Sequence, residues 1–276
     1  MYHILHKEQL AEKVFLMKIQ APLIAQERRA GQFVIIQPDT DFGERIPLTI
    51  ADADVTAGTI TLIFQAVGKT TTDLSAMQTG DPVANVLGPL GNPTHIANFG
   101  HVVCVAGGIG AAPMFPIAQA LKQAGNSLTL IIGARSRELV ILEERMRSIA
   151  DNLIICTDDG SYGRKALVTE PLEELCSGAD KPDKVFAIGP PVMMKFCAAT
   201  TKPYQVPTMV SLNTIMVDGT GMCGGCRVTV NGETRFTCVD GPEFDGHQVD
   251  FENMLARLGS YRPQEQDALH KCRISV

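Results

Sequence analysis

From Gly100 onward, near-continuous apolar runs alternate with helical stretches, and this alternation narrows the possible folds more than anything else in the chain. The runs HVVCVAGG, SLTLIIGA, LIICTDDG and KVFAIGPP are interleaved with the helical segments AAPMFPIAQALKQAG, LVILEERMRSIA and VMMKFCAAT. A strand without polar alternation has no face to give to water. It needs cover on both sides, which a parallel sheet between layers of helices provides. Ligands of such sheets bind beyond the carboxyl ends of the strands. Those ends read GGIGAAP, GARSR, TDDGSYG and GPP. Val102 to Leu121 is twenty residues without a charge, the length of a membrane span. Gly107, Gly108, Gly110, Pro113 and Pro116 interrupt it, so it reads as a buried strand turning into a helix.

Before Gly100 the grammar is different. VFLMKI, GQFVIIQ, RIPLTIAD, GTITLIFQAVG and DPVANVLG are short runs rich in branched residues and bounded by Gly, Pro and Asp, which predicts a small antiparallel β-barrel. In the fourth run Ile60, Leu62, Phe64 and Ala66 share one face and Thr61 and Gln65 the other, as in a strand covered on one side only. From about Pro207 the chain becomes short and Gly-rich around three cysteines, then acidic and partly helical. The expected fold class is therefore α/β plus β: a barrel over residues 1–97, a parallel-sheet nucleotide domain over 98–206 and a small cysteine domain over 207–276.

Composition excludes some partners. A formal charge of -6 and the absence of a long Lys/Arg run argue against nucleic acid and against an anionic membrane surface. The N-terminal MYHILHKEQLAEKVF has no cationic segment followed by an apolar run, and eight cysteines in a chain of 276 residues are too few for a disulfide scaffold. A reducing, cytoplasmic setting is expected. Cys104, Cys156, Cys176, Cys197 and Cys272 are scattered singly and are expected to act as small hydrophobes.

Chemistry concentrates in a few places. AGGIGAAP follows a strand and opens a helix, where glycines let backbone approach a pyrophosphate and the helix N-terminus supplies amide donors; a purely structural strand-to-helix turn reads the same way. Arg135 and Arg137, beyond the second strand, suit an adenosine ribose or a 2'-phosphate, or belong to a solvated loop. Arg45 and Thr49 in RIPLT, with the Gly, Lys and hydroxyls of VGKTTTDL, can hold a phosphate and a flavin edge, or are ordinary barrel residues.

The cysteine pattern, counted from Asp218, is D-x4-C-x2-C-x11-C through Cys223, Cys226 and Cys238. With Cys in first place this is the plant-type 2Fe-2S spacing. Zinc, with Asp218 or His247 as fourth ligand, is the alternative, although structural zinc sites usually pair two short knuckles and only one C-x2-C is present. Asn231 and Gly232 predict a two-residue type I' hairpin turn that sets Cys226 opposite Thr237, with Cys238 one step on. Strict alternation would then put the two sulfurs on opposite faces, so one cysteine must leave the strand plane.

In this order, GERIPLTIAD, GGIGAAP, GARSRELVILEERM, TDDGSYG, AIGPPVMM and VDGTGMCGGCRV resemble the ferredoxin-NADP reductase superfamily. The resemblance lies in the branch that holds the electron-transfer subunit of dihydroorotate dehydrogenase and the small subunits of NADH-dependent reduced ferredoxin:NADP oxidoreductases, also called sulfide dehydrogenase beta subunits. It implies FAD in the barrel, at Arg45, Pro47, Leu48, Thr49, Gln65, Gly68, Thr70 and Thr71. It implies NAD(H) or NADP(H) over Gly107, Gly108, Gly110, Ala111 and Pro113, reaching Arg135, Asp158 and Gly189, and a 2Fe-2S cluster on Asp218, Cys223, Cys226 and Cys238. A larger iron-sulfur flavoprotein subunit is the implied partner, with ferredoxin reached through the complex. The superfamily's R-x-[YF]-[ST] is altered: the arginine is displaced to Arg45, Ile46 stands two before Leu48, and Leu48 replaces the stacking aromatic. Two further readings stand beside this one, the electron-transfer subunit of another dehydrogenase and a zinc-stabilised nucleotide-binding regulator.

Overall fold

The computed structural model describes residues 2–39 and 43–274, and the side chain of Cys272 lies outside that description. The first unit is a barrel of β1 (Tyr2–Ala11), β2 (Val14–Gln20), β3 (Phe33–Gln37), β4 (Ile46–Asp54), β5 (Thr59–Gln65), β6 (Pro82–Val83) and β7 (Asn85–Leu90), with α1 (Pro22–Glu27) and α2 (Lys69–Ala76) in its connections. The seven strands run in the order β6-β1-β2-β5-β4-β3-β7, every pair antiparallel. Ala84 alone separates β6 from β7, so the two edges of the sheet belong to one continuous segment and the barrel is nearly closed.

Strand β5 corrects the one-sided expectation. Ile60, Leu62 and Phe64 do fill the barrel core. The opposite face is also covered: Thr61 and Ile63 are each 5% exposed, and Ile63 packs with Val14 and Ala51 into the core of the second unit. Alternation signals one buried face, but a second domain laid over the other face leaves no mark in the period.

The second unit contains β8 (His101–Gly107), α3 (Ala111–Gln123), β9 (Ser127–Ala134), α4 (Glu143–Arg147), β10 (Asn152–Thr157), β11 (Arg164–Lys165), α5 (Thr169–Ser177), β12 (Lys184–Ile188), α6 (Pro191–Thr201) and β13 (Thr208–Ser211). The candidate membrane span is thus β8 running into α3, and among the described residues no helix is long and apolar enough to cross a membrane. The helix expected over LVILEERMRSIA shortens to α4 because Leu142 takes a left-handed backbone, φ 59, immediately before it.

Beyond β13 come the hairpin β14 (Arg227–Val230) and β15 (Glu233–Phe236), the single turn α7 (Thr237–Asp240), β16 (Glu243–Asp245), and helices α8 (Phe251–Leu258) and α9 (Arg262–Ile274). Strand β16 pairs antiparallel with β13 and completes a seven-stranded sheet of order β11-β10-β9-β8-β12-β13-β16. The order reverses between β8 and β12. That is the switch point at which such sheets bind ligands.

Polar contacts tie the units. Asp52 of β4 accepts from Arg145 of α4 at 2.8 Å and from Arg28 at 3.4 Å, and the Arg145 guanidinium lies 4.1 Å from the Phe115 ring centroid. Where the three units meet, the Thr94 hydroxyl donates to Glu243 at 2.6 Å. Desolvation raises the Glu243 carboxyl to about 7, against the pull of the Thr94 hydrogen bond and the Lys184 charge.

At the switch point the glycines are fixed by contact. A Cβ on Gly110 would stand 2.3 Å from the Ile188 carbonyl oxygen, whereas one on Gly108 would meet nothing within 4 Å. Gly110→Ala is therefore expected to cost about 3 kcal/mol by forcing strand ends apart. Gly108→Ala should cost only about 1 kcal/mol, for its left-handed backbone; chemical denaturation of both variants measures the difference. A second expectation concerns Glu243. The folded protein keeps this proton up to about 7 while the unfolded chain releases it near 4.5, so stability declines as pH rises across that window. Glu243→Gln should lack that decline, and melting curves at pH 5 and pH 8, about the two ends of the window, should show the variant gaining on the wild type at the higher value.

Candidate functional site

The carboxyl ends of β8 and β12 converge. A Cβ on Gly107 would lie 2.3 Å from the Met193 sulfur, and one on Gly189 would lie 3.1 Å from the Gly107 Cα. Between them the turn Gly108–Gly110 leads into α3, whose N-cap Gly110 provides no side-chain cap. The first amides of a thirteen-residue helix therefore open beside the unobstructed side of Gly108. Ala111 is buried and Pro113 half-buried in that first turn. At the neighbouring strand end Arg135 and Asp158 are exposed, and the Arg137 guanidinium lies 5.1 Å from the Tyr162 ring centroid. The loops GARSR and TDDGSYG are thus packed together, also through the Arg137 amide donating to the Ser161 hydroxyl at 2.9 Å.

Helix α3 packs on β4, and the Gly108–Gly110 turn contacts β5, so the nucleotide turn faces the barrel strands that carry the flavin candidates. Pro47, Leu48 and Thr49 are half-buried on β4, opposite Ile35, Val34 and Phe33 of β3. Gln65 closes β5 and Gly68 caps α2. The Thr71 hydroxyl accepts from the Val67 and Gly68 amides at 3.1 and 3.0 Å, while buried Thr70 donates to Glu44 at 3.1 Å. Both hydroxyls therefore shape the start of α2. The donors left for a phosphate in that turn are backbone amides.

The cysteine segment shows how one sequence satisfies two demands. Asn231 and Gly232 have φ 52 and 76, the type I' turn, and Val230 pairs with Glu233 as expected. Thr237 faces Cys226, donating to its carbonyl from the amide at 3.2 Å and from the hydroxyl at 2.9 Å. The strand then ends and α7 begins, which swings Cys238 out of the strand plane until its sulfur is 3.2 Å from that of Cys226. That separation exceeds the about 2.05 Å of a disulfide. Two free thiols are adjacent, both buried, with Cys223 exposed nearby. Burial and the neighbouring Cys226 thiol raise the Cys238 pKa, whereas the Gly225 amide lowers that of Cys223.

Asp218 opens this loop. Its Oδ2 accepts from the Thr220 hydroxyl at 2.6 Å and from the Thr220 and Met222 amides at 2.9 and 3.1 Å, which hold the carboxyl below its ordinary range. Among the described residues no three His, Cys, Asp or Glu side chains converge on one ion. A two-iron group asks for pairs instead. The donor set of three sulfurs and an ionised carboxylate along one loop, two of the sulfurs adjacent, fits such a group. His247, the other candidate ligand in the zinc reading, is elsewhere: its Nε2 lies 2.9 Å from the Thr201 hydroxyl of α6. Zinc held by three cysteines and His247 is thereby corrected.

The cysteines sit directly on the barrel. Phe33 and Ile35 of β3 pack with Met216, Cys226 and Cys238, and Leu90 of β7 joins them. Arg45 crosses the same junction, its Nη2 3.4 Å from the Asp218 carbonyl. Sequence reasoning missed Glu44, the partner of Thr70, and Thr214, whose hydroxyl is buried without a partner among the described residues. Neither lies in a motif, and only the tertiary arrangement singles them out.

Comparison with known proteins agrees with this layout. Residues 104–199 match the oxidoreductase NAD-binding domain, and residues 213–250 match the iron-sulfur cluster binding domain of dihydroorotate dehydrogenase B. A dihydroorotate dehydrogenase B (NAD(+)) electron transfer subunit homolog of Thermotoga maritima is 48% identical over 95% of this chain and 92% of its own. The dihydroorotate dehydrogenase B (NAD(+)) electron transfer subunit of Clostridium perfringens is 32% identical over 80% and 87%. A chain of the NADH-dependent reduced ferredoxin-NADP oxidoreductase, whose structure is described for its insights into flavin-based electron bifurcation, is 46% identical, with a TM-score of 0.92 over 98% of this chain and 97% of that one. A barrel, a nucleotide sheet and a cysteine loop in one order, aligned end to end at such identity, place the chain in the family of dihydroorotate dehydrogenase B electron transfer subunits and their homologues.

Proposed function

We propose that the chain is the electron-transfer subunit of a flavin and iron-sulfur oxidoreductase, passing electrons between NAD(H), FAD and a 2Fe-2S cluster. Its assembly is the electron-bifurcating type, in which it serves as the small subunit of an NADH-dependent reduced ferredoxin-NADP oxidoreductase. One observation carries this: the nucleotide turn abuts β5 and the helix it opens abuts β4, while the cysteines abut β3, the strand paired with β4. The flavin strands lie between the two other sites.

When bound, FAD supplies the conversion between a two-electron hydride donor and a one-electron cluster. The chain's own residues bind and position. The amides opening α3 and the bare side of Gly108 receive a pyrophosphate, and Pro47, Leu48 and Thr49 line the ring of the flavin. Gln65, Gly68, Thr70 and Thr71 surround its remaining edge and phosphates, and Ala111, Pro113, Asp158 and Gly189 border the nicotinamide nucleotide, with its adenosine toward Arg135. Hydride transfer itself requires orientation and no acid or base, so no such residue is assigned. Arg135 and Arg137 also suit a 2'-phosphate, which leaves NADP(H) to be compared with NAD(H).

Cys104, Cys156, Cys176 and Cys197 are buried, burial raising the thiol pKa of each, and they belong to the core rather than to further clusters. Clusters that exchange with ferredoxin therefore come from a larger iron-sulfur flavoprotein partner, in a cytoplasmic complex. The match of residues 213–250 also favours a second reading, service to a dihydroorotate dehydrogenase. Copurification with the iron-sulfur flavoprotein or with the dehydrogenase separates the two.

Protein purified without air should contain flavin and about two irons per chain, and should bleach on titration with NADH. A colourless protein holding zinc would overturn the proposal. Cys226→Ser and Cys238→Ser should each abolish the cluster spectrum while leaving the flavin bands. Asp218→Ala should alter the cluster spectrum and Asp218→Cys should restore a cluster of different potential; spectra unchanged in both variants would remove Asp218 from the ligand set.

A further inference from the structure

Arg45 bridges the barrel and the cysteine segment, and its Nε–H is left over in doing so. Its Nη2 lies 3.4 Å from the carbonyl of Asp218, the residue that opens the cysteine loop. Its Nε–H is buried and has no acceptor among the described residues. The other buried side-chain atom in that condition, Thr214 Oγ1, stands on the segment that leads into Asp218. A buried donor without an acceptor is destabilising, so a native structure ordinarily supplies one. Arg45 immediately precedes Ile46, the first residue of β4, which leads into Pro47, Leu48 and Thr49.

We infer that Arg45 is a positioning residue that couples the two redox sites, its guanidinium pinning the cysteine loop through the Asp218 carbonyl while its Nε–H serves an acceptor on the flavin. This rests on the flavin and 2Fe-2S reading of the preceding section. It assigns the displaced arginine a task beyond holding a phosphate. A fixed cation at the ligand loop favours the more negative, reduced state of the cluster, so Arg45 raises the cluster potential.

The test is an EPR-monitored redox titration of anaerobically purified full-length protein, with iron and flavin content measured on the same samples. Arg45→Met, which removes the charge and every side-chain donor, should lower the cluster midpoint potential and change its EPR signal. Arg45→Lys, which keeps the charge, should return the potential most of the way to that of the wild type. If Arg45→Met purifies without a cluster, Arg45→Gln, which keeps a donor without the charge, should show the same downward shift. An unchanged potential in a cluster-loaded Met or Gln variant overturns the inference, as does loss of flavin with the cluster potential intact, which would reduce Arg45 to a flavin anchor. Wild-type protein lacking iron would instead sink the cluster reading and this inference together, and the metal analysis tells the two failures apart.

Discussion

Strand β3 is buried on both faces, and the arrangement of the sites follows from that double burial. Val34 and Ile36 point into the barrel core, while Phe33 and Ile35 lie beneath Met216, Cys226 and Cys238. Side chains alternate along a strand, so a single pleated layer separates the inside of the barrel from the cysteine loop. Strand β5 repeats the device on the other flank, with Ile60, Leu62 and Phe64 inward and Ile63 outward into the core of the nucleotide unit. A barrel with two covered flanks cannot move far from either neighbour without exposing apolar surface. Distances between the sites are set by packing.

The sulfurs illustrate how that packing selects chemistry. Cys226 and Cys238 are buried against aromatic and aliphatic neighbours, and burial raises the Cys238 thiol, while Cys223 is exposed and receives a backbone amide. Asp218, by contrast, is kept ionised by three donors within its own loop.

Local features of this fold were legible in the sequence. The Asn231-Gly232 turn determined the hairpin register, and from the register came the requirement that one cysteine leave the strand, which α7 meets. The glycines of GGIGAAP announced a strand-to-helix turn because nothing larger fits at Gly110 against the Ile188 carbonyl. Features fixed by distant partners were not legible. Strand β1 reads YHILHKEQLA, too polar to declare itself, and is held by pairing with β2 and β6. Leu142 breaks an otherwise helical run through its own backbone angle. Ile63, Glu243 and the Arg145–Asp52 ion pair acquire their roles only when a second unit arrives. His247 looked like a metal ligand by residue type, and its contact with Thr201 belongs to the sheet edge.

The cysteine segment does not stand apart from the nucleotide sheet. Strand β16, which follows α7, lies along β13, and the Leu212 amide donates to the Pro242 carbonyl at 2.9 Å. A cut at residue 206 would remove two of the seven strands of that sheet and strip the cover from β3 at once. The terminal module therefore has its foundations in both of the others, and none of the three can be excised cleanly.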